Sequence, residues 1–528
     1  MLGDRDLGQP LSGVVLDQTK LFEFMAQPEA YDPAPAAVDF IETHASFVFL
    51  AGAFAYKMKR AVKYPFLDFS TLEKRRQACF NELRLNRRNA PHIYLEVVPI
   101  TFEPGQGLKL RGEDVPVEWV LVMRRFDQEN LYDRMAAEGR LSLAAMGQLA
   151  SHIAHLHGTA ARTLTTNQAV LPLKRIIREH ETVLTTPSSA FHQDAAEVLA
   201  NGTREAFQRL IPLLKRRAKG GYVRHCHGDL HLGNIVEIDC KPDLFDALEF
   251  DDSLAIIDVL YDLAFLLMDL GKRGLSAHAN AVLNGYLDED GTGNLLGLAA
   301  LPLFLSLRAM IRAKVALLRA EKGLPADAVA AREAAGAYFG LAVHYLEPEQ
   351  PRVIAMGGLS GSGKSIIART IAAQIGSFPG AVIVRSDVER KRLFGMPPHE
   401  RLSRQAYTQE VSDLVYRLCR KRAAFVLDAG KSVIVDAVHA RPEERDAITE
   451  LAEEYGASFT GLWFDVSAEL MQERVAKRIG DVSDATSAVV QTQLAYDLGP
   501  IGFDRVDASG PIADVARRCL ERIRNSSA

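Results

Sequence analysis

The sequence predicts an α+β domain followed by an α/β domain with a doubly wound parallel sheet. Three observations lead to this fold class. A strand hairpin and a helix open the first half, a glycine-rich loop joins a strand to a helix in the second, and Pro348 and Pro351 lie between them. Proline prevents a helix from continuing, so the linker predicts a domain boundary near Glu347.

Length and composition are those of a soluble multidomain protein. With 528 residues the chain is too long for one core, and its 48% hydrophobic and 24% charged residues are ordinary. The net charge of −5, from 62 basic and 67 acidic residues, gives no global reason to expect nucleic acid or an anionic membrane as partner.

The cysteines and the N-terminus indicate a reducing, cytoplasmic location. The five cysteines form no C-x-x-C pair, which argues against a disulfide framework and against a zinc site. The N-terminus lacks a basic-then-apolar signal, and no run of about 18 apolar residues predicts a membrane span.

Residues 46–59 read as two strands around a tight turn, which predicts a hairpin. Period-2 alternation places Lys57 and Lys59 on one face of its second strand. The helix that follows opens with the capping-box pattern Ser70-Thr-Leu-Glu73 and carries Glu82.

Ala55-x-Lys57 has the form in which a small residue leaves room for adenine and a lysine contacts phosphates. We expect Lys57 to bind the nucleotide, oriented by an ion pair with Glu82. Lys59 is the weaker candidate for this role, because Lys57 would then stand in the place of the small residue and crowd the adenine.

The loop His227-Gly-Asp229 followed by Asn234 resembles the catalytic loop of the aminoglycoside phosphotransferases and related small-molecule kinases. The resemblance implies a two-lobed protein-kinase-like fold, with an N-terminal segment and N-lobe over 1–125 and a helical C-lobe over 126–346. It also implies that Asp229 accepts or orients the proton of the substrate hydroxyl and that Asn234 holds Mg²⁺.

The acidic stretch after this loop is expected to supply a second metal ligand. Where the family usually has aspartate before an aromatic residue or glycine, this chain has Glu249-Phe250. Glutamate also binds Mg²⁺ through oxygen but reaches about one methylene further. Asp251 and Asp246 are the alternatives, whereas Asp258 and Asp262 are interpreted as structural.

In the second half, Gly358-Leu-Ser-Gly361-Ser-Gly363-Lys364-Ser365 fits the pattern of a phosphate-binding P-loop. Its glycines and Ser362 let backbone N–H groups surround a polyphosphate, Lys364 reaches the β- and γ-phosphates, and Ser365 offers its hydroxyl to Mg²⁺. The apolar run 353–356 before it and the helical pattern after it supply the strand and helix that this mechanism requires.

Further strands are predicted at 381–384, 432–436, 459–465 and 505–507, alternating with helices as in a parallel doubly wound sheet over 352–528. Functional residues gather at the carboxyl ends of such strands. Asp387 and Asp436 are both expected there.

This half resembles the P-loop kinases of the gluconate kinase, zeta toxin and polynucleotide kinase type. The resemblance implies that Asp387 activates the acceptor hydroxyl and that Arg390 binds the substrate. Arg474 and Arg478, one helical turn apart, fit a lid that neutralises the transferring phosphate, although a charged surface helix gives the same pattern. Asp436 either holds Mg²⁺ through water or caps the next segment.

Three functional hypotheses follow. The first is a bifunctional ATP- and Mg²⁺-dependent phosphotransferase acting on hydroxyl groups of small molecules such as sugars, amino sugars or nucleosides. The second is a P-loop kinase of nucleic-acid 5′-hydroxyl ends with a binding or regulatory first half; the basic cluster at Arg385 and 390–392 is short and lacks aromatics, so nucleic acid is less favoured. The third is a nucleotide-switched regulatory ATPase.

Overall fold

The computed structural model describes residues 17–43, 45–64, 67–186, 191–249, 252–289, 292–322, 325–397, 400–477 and 482–526. The chain forms two compact units. The first is Met1–Leu141 with His227–Ile256, and the second is Ser142–Cys226 with Ile257–Ala528. The loop that carries Asp229 therefore belongs to the same unit as the N-terminal strands.

The elements up to the linker are, in chain order, α1 (Gln18–Met25), β1 (Val38–Glu42), β2 (Ser46–Ala51), β3 (Phe54–Lys59), β4 (Lys63–Tyr64), β5 (Leu67–Asp68), α2 (Leu72–Asn86), β6 (Tyr94–Glu103), β7 (Gly107–Leu110), β8 (Pro116–Arg124), α3 (Tyr132–Ala137), α4 (Leu143–Thr159), α5 (Thr166–Thr185), α6 (Gln193–Lys219), β9 (Val223–His225), β10 (Ile235–Ile238), β11 (Lys241–Leu244), α7 (Asp252–Ala255), β12 (Ile256–Asp258), α8 (Val259–Lys272), α9 (Ser276–Glu289), α10 (Gly293–Gly297), α11 (Leu301–Lys322) and α12 (Pro325–Leu346).

The elements after the linker are β13 (Arg352–Gly357), α13 (Lys364–Ile371), β14 (Val382–Arg385), α14 (Ser386–Leu393), α15 (Gln409–Asp428), β15 (Val433–Asp436), α16 (Pro442–Glu454), β16 (Ser458–Asp465), α17 (Ala468–Ala476), α18 (Ser487–Leu494), β17 (Asp504–Asp507) and α19 (Ile512–Asn525). Helix α12 ends at Leu346 and β13 begins at Arg352, so the proline linker lies between a helix and a strand.

The first unit is built on a six-stranded sheet in the order β1-β2-β3-β8-β6-β7. The predicted hairpin is present as β2 and β3, which pair antiparallel from Ser46↔Lys59 to Ala51↔Phe54. The capping residue of α2 is Thr71, whose side chain accepts from the Lys74 N–H, and not Ser70 as the capping-box pattern suggested. The Ser70 hydroxyl instead donates to the Asp68 carboxylate.

The second unit contains the helices that surround a strongly apolar α8. The carboxylate of Asp258 accepts from the Leu260 N–H at the start of α8 and pairs with the buried Arg217, so its predicted structural role fits its contacts. Among the described residues, the stretch Gly293–Glu321 is long and apolar enough to cross a membrane by length and composition alone. Because 78% of its apolar window is buried inside the structure, it is interpreted as a core helix.

The second unit also contains the predicted parallel sheet, in the order β14-β15-β13-β16-β17. Strands β14, β15, β16 and β17 each run parallel to their neighbours, with β13 at the centre. The central strands are apolar and buried, and their core includes Ile354, Ile434 and Leu462. This arrangement confirms the doubly wound α/β prediction and places the carboxyl ends of β13, β14 and β15 side by side.

Candidate active sites

The first site is built around the side chain of Lys57 on β3. Its Nζ lies 2.7 Å from Glu82 Oε1 on α2 and 2.6 Å from Asp246 Oδ1. Burial alone would lower the pKa of Lys57, but the carboxylates of Asp246 and Glu82 raise it well above its ordinary value. The ion pair between Lys57 and Glu82 is the one expected from the sequence.

Lys59 also reaches Glu82, from the same face of β3. Its Nζ lies 2.5 Å from Glu82 Oε2 and also contacts Glu249. Only 2% of the Lys59 side chain is exposed, against 14% for Lys57. Each oxygen of Glu82 thus binds one lysine, and of these two ammonium groups the one on Lys57 is the more accessible to a ligand.

The contacts distinguish the candidate metal ligands of this site. The Glu249 side chain is 9% exposed beside Lys59, and burial raises its pKa. The Asp246 side chain is 40% exposed, and although burial alone would raise its pKa, Lys57 holds that pKa below its ordinary value. An ionised, accessible carboxylate fits a divalent cation better than a buried one with a raised pKa, so Asp246 fits Mg²⁺ better than Glu249 does. Asp251 lies outside the described residues.

The loop between β9 and β10 presents Asp229. The amide Nδ2 of Asn234 donates to the Asp229 carbonyl oxygen at 2.9 Å and to its Oδ2 at 3.1 Å, which fixes the two candidate residues against each other. His227 Nε2 donates to the Phe245 carbonyl at 2.9 Å, and His231 Nδ1 accepts from the Gly233 N–H at 3.1 Å. The two histidines therefore hold the loop in shape.

A buried polar group, His157 with Asp262 and Tyr286, lies in the helical part of the second unit. His157, Cys226 and Asp262 are close enough to hold a metal ion. Both ring nitrogens of His157 are already hydrogen-bonded, however, Nδ1 to the Tyr286 hydroxyl at 2.9 Å and Nε2 to Asp262 Oδ2 at 3.1 Å. We interpret the group as a structural hydrogen-bond network.

The second site is the loop between β13 and α13. Gly358, Gly361 and Gly363 have φ of 137°, 88° and 95°, values that strain any other residue. A Cβ on Gly361 would also lie 2.6 Å from the Met471 carbonyl oxygen. The Lys364 ammonium donates to the Gly358 carbonyl at 2.6 Å and to the Leu359 carbonyl at 3.1 Å, so it lies within the curve of the loop.

Ser365 and Asp436 meet at the carboxyl end of the sheet. The Ser365 hydroxyl donates to Asp436 Oδ2 at 2.5 Å, and Arg385 Nε lies 3.5 Å from the same oxygen. A hydroxyl and a carboxylate together are oxygen donors that fit Mg²⁺. The two residues, which are 71 positions apart, are brought together because Met356 of β13 and Asp436 of β15 are paired in register.

Asp387 and Arg390 lie on α14, directly after β14. The Arg390 side chain is nearly buried, donates to the Ala406 carbonyl at 2.6 Å and stacks 4.8 Å above the Tyr407 ring. A cavity of about 420 Å³ joins the phosphate loop to this region. Its wall includes Ser360, Lys364, Ser365, Asp387, Arg390, Arg401, Arg404, Tyr407, Asp436 and Asp484.

Three further residues complete this site. Arg474 donates to the Ser362 carbonyl at 3.3 Å and to the Ala508 carbonyl at 2.9 Å, so it lies beside the phosphate loop, whereas Arg478 lies outside the described residues. Sequence reasoning did not identify Gln493, which accepts from the Ser360 N–H at 2.8 Å. It also missed Asp484, since neither residue belongs to a local motif.

Asp484 anchors the far wall of the cavity. It accepts from the Leu402 N–H at 3.0 Å and the Tyr407 hydroxyl at 2.8 Å, and it pairs with Lys391 at 3.1 Å. Burial alone would raise the pKa of Asp484, but these contacts lower it. Its negative charge is thus compensated within the wall, because Lys391 lies against it.

Each half of the chain matches a family of known proteins. Residues 74–298 match the model of the phosphotransferase enzyme family, and residues 353–497 match an AAA domain model. A choline/ethanolamine kinase family protein from Mesorhizobium loti is 15% identical, with 62% of this chain and 98% of that chain covered and a TM-score of 0.39. A gluconokinase from Sinorhizobium meliloti is 24% identical, covers 34% of this chain and 94% of that one, and has a TM-score of 0.26.

Fold, sites and family matches together define an ATP-dependent phosphotransferase in which a phosphotransferase-family, kinase-like domain precedes a P-loop kinase domain. The chain belongs to the family of the uncharacterized protein Rv2004c of Mycobacterium tuberculosis, with which it is 30% identical over 495 residues, 90% of this chain and 93% of the relative. The protein Mb2027c of Mycobacterium bovis matches to the same extent.

Proposed function

We propose that the chain is a bifunctional kinase that transfers the γ-phosphoryl group of ATP to hydroxyl groups of small molecules at two separate sites. The observation that carries this proposal is that each half has a lysine for phosphates, oxygen donors for Mg²⁺ and a carboxylate for the acceptor hydroxyl. Both sets are formed by residues far apart in sequence, which a chance motif would not bring together.

In the first site, Lys57 binds phosphate oxygens while Glu82 orients its ammonium. Asp229 orients the acceptor hydroxyl and takes its proton. Asn234 and Asp246 are the residues that would hold Mg²⁺, with Asp246 in the role first assigned to Glu249. When bound, Mg²⁺ neutralises charge on the phosphates in either site.

In the second site, the backbone of the phosphate loop and Lys364 bind the nucleotide, and Arg474 stabilises the charge that develops on the transferred group. Ser365 and Asp436 are the residues that would hold Mg²⁺. Asp387 takes the proton of the acceptor hydroxyl, and Arg390 binds another part of the same acceptor.

The acceptor of the second site is a small anion that carries a hydroxyl group. Arg390, Arg401 and Arg404 line the cavity beyond the phosphate loop, and the acidic Asp484 in the same wall is paired with Lys391. Arginine matches carboxylate and phosphate groups in geometry and charge. The cavity of about 420 Å³, which the acceptor shares with the phosphates of ATP, suits a sugar acid or sugar phosphate better than a polynucleotide. We place this activity in the cytoplasm.

The test is transfer of labelled γ-phosphate from ATP, with Mg²⁺, to gluconate, sugar phosphates, neutral sugars, amino sugars, nucleosides and a 5′-hydroxyl oligonucleotide. Wild type, Asp229→Ala and Lys364→Ala are compared. We expect Lys364→Ala to lose transfer to anionic acceptors and Asp229→Ala to lose only a second, distinct activity. Loss of all transfer from either single substitution would contradict two separate sites.

A further inference from the structure

Helix α9 lies along the outer edge of strand β14. Strand β14 is the first in its sheet, so its outer backbone groups have no neighbouring strand among the described residues. Such an edge leaves N–H and C=O groups that need other partners when they are buried. Helix α9 precedes the linker and belongs to the phosphotransferase-family half, whereas β14 belongs to the P-loop half.

Two asparagines of α9 bind the backbone of this edge. Asn284 Oδ1 accepts from the Ile383 N–H at 2.7 Å, and its Nδ2 donates to the Ala381 carbonyl at 3.2 Å. Asn280, 3% exposed, donates to the Ala381 and Pro379 carbonyls, both at 3.1 Å. A side-chain amide carries the same donor and acceptor as a peptide group, so Asn284 takes the place of a neighbouring strand.

A second set of contacts joins the end of α9 to α14 and α15. Arg392 donates to the Asp288 carbonyl at 2.9 Å, and Arg422 approaches the Leu287 carbonyl at 3.5 Å. Both arginines also bind the buried Glu389 of α14. The last carbonyls of a helix carry partial negative charge, which favours arginine at this end of α9.

The segment held by these contacts carries the candidate acceptor residues. Strand β14 ends at Arg385, α14 begins at Ser386, and Asp387 and Arg390 lie on either side of Glu389. The asparagines fix the strand before this segment, and the two arginines fix the helix that contains it. The phosphate loop, by contrast, lies between β13 and α13, on the other side of β15 in the sheet.

We propose that α9 of the first half is a positioning element of the second active site, with Asn284 as its principal positioning residue. The P-loop half then binds ATP with its own residues but depends on the other half to place Asp387 and Arg390. Only the role of these last two residues rests on the proposed function.

The test compares Asn284→Ala and the isosteric Asn284→Asp with Asn201→Ala, an exposed asparagine on α6. All are made in the full chain carrying Asp229→Ala, which silences the first site. The readouts are kcat and KM for Mg²⁺-dependent ATP hydrolysis, with water as the acceptor, and hydrogen–deuterium exchange of residues 381–393 and 353–371. Circular dichroism checks folding, and Asn284→Asp replaces Asn284→Ala if the latter does not fold.

We expect Asn284→Ala to lower kcat by about 10- to 100-fold, because displacement of a positioned group by about 1 Å has effects of this size. KM for ATP should stay within about 2-fold, since the phosphate loop is untouched. Exchange should quicken in 381–393 and not in 353–371, while Asn201→Ala changes neither. Unchanged exchange in 381–393 would overturn the proposal, and so would a rise in the KM for ATP with kcat unchanged. If the protein neither hydrolyses ATP nor transfers phosphate to any acceptor of the panel, the proposed function fails, but the exchange result still decides this inference.

Discussion

Replacing Lys59 by methionine should destabilise the first unit far more than replacing Lys57, although both residues bind Glu82. Methionine keeps the apolar volume of Lys59 and removes its charge. The fully buried Glu82 then keeps only the Lys57 ammonium, which it shares with Asp246, and the 9% exposed Glu249 loses the lysine that it contacts. Removing one partner of a buried ion pair costs about 3–5 kcal/mol, because the other charge stays buried without compensation.

For a unit of this size, about 2–4 °C of melting temperature correspond to each kcal/mol, so the midpoint of the first unit should fall by roughly 6–20 °C. Adding Glu249→Gln to Lys59→Met should restore part of the lost stability, because a glutamine amide carries no charge that the missing lysine would have to compensate. Burial raises the pKa of Glu249, so its charged form is already disfavoured. Glu249→Gln alone should therefore cost less than about 1 kcal/mol, and added to Lys59→Met it should recover half of the loss or more.

The assay is differential scanning calorimetry of the full chain for the wild type, Lys57→Met, Lys59→Met, Glu249→Gln and the double variant of Lys59 and Glu249. Lys57→Met should keep most of the stability and lose phosphoryl transfer at the first site, since its partner Asp246 is 40% exposed and remains hydrated. Equal melting shifts for the two lysine variants would refute the reasoning. A double variant that loses the sum of both single effects would refute it as well.

Three further predictions concern the second unit. Ser365→Ala should raise the Mg²⁺ concentration for half-maximal transfer about 10- to 100-fold, measured by Mg²⁺ titration, because it removes the hydroxyl beside Asp436. Gly361→Ala should weaken ATP binding in a nucleotide titration, because a φ of 88° and the 2.6 Å contact of the new Cβ with the Met471 carbonyl oxygen add about 1–3 kcal/mol of strain. The control Gly336→Ala, whose Cβ would meet open space on a helix, should leave ATP binding unchanged. Burial lowers the pKa of Lys431 from 10.5 to about 8, so the folded state favours the neutral amine. The free energy of unfolding should therefore rise from about pH 8 to 10.5, and this added stability should be lost as the pH falls through 8. Lys431→Met should flatten this dependence in melting curves and raise stability at pH 7 by up to roughly 3 kcal/mol, and an unchanged pH profile would exclude the assignment.

Local patterns predicted those parts of the sites that depend on local backbone geometry. Period-2 alternation placed Lys57 correctly on β3, and the strand–loop–helix pattern located the phosphate loop, because both follow from backbone geometry over a few residues. Asp436 could be placed near Ser365 because the strands of a doubly wound sheet end at one edge.

Local sequence patterns could not predict the contacts between segments that lie far apart in the chain. Nothing local in the sequence of α9 indicates that Asn284 binds the backbone of Ile383, 99 residues later. The preference for Asp246 over Glu249 also depends on the degree of exposure of each side chain, which the tertiary packing around Lys59 decides. Sequence alone left these carboxylates as alternatives for this reason.

The proline linker is a clear boundary in the sequence, yet cutting the chain there would remove contacts that the P-loop domain makes with the preceding half. A fragment beginning at Arg352 would keep every residue of the phosphate loop and lose helix α9. The outer edge of β14 would then offer unpaired backbone groups beside the apolar Phe378, which the full chain packs against Tyr345 at 5.3 Å between ring centroids. Exposed strand edges of this kind recruit other chains, so the isolated domain should aggregate more readily than the intact protein.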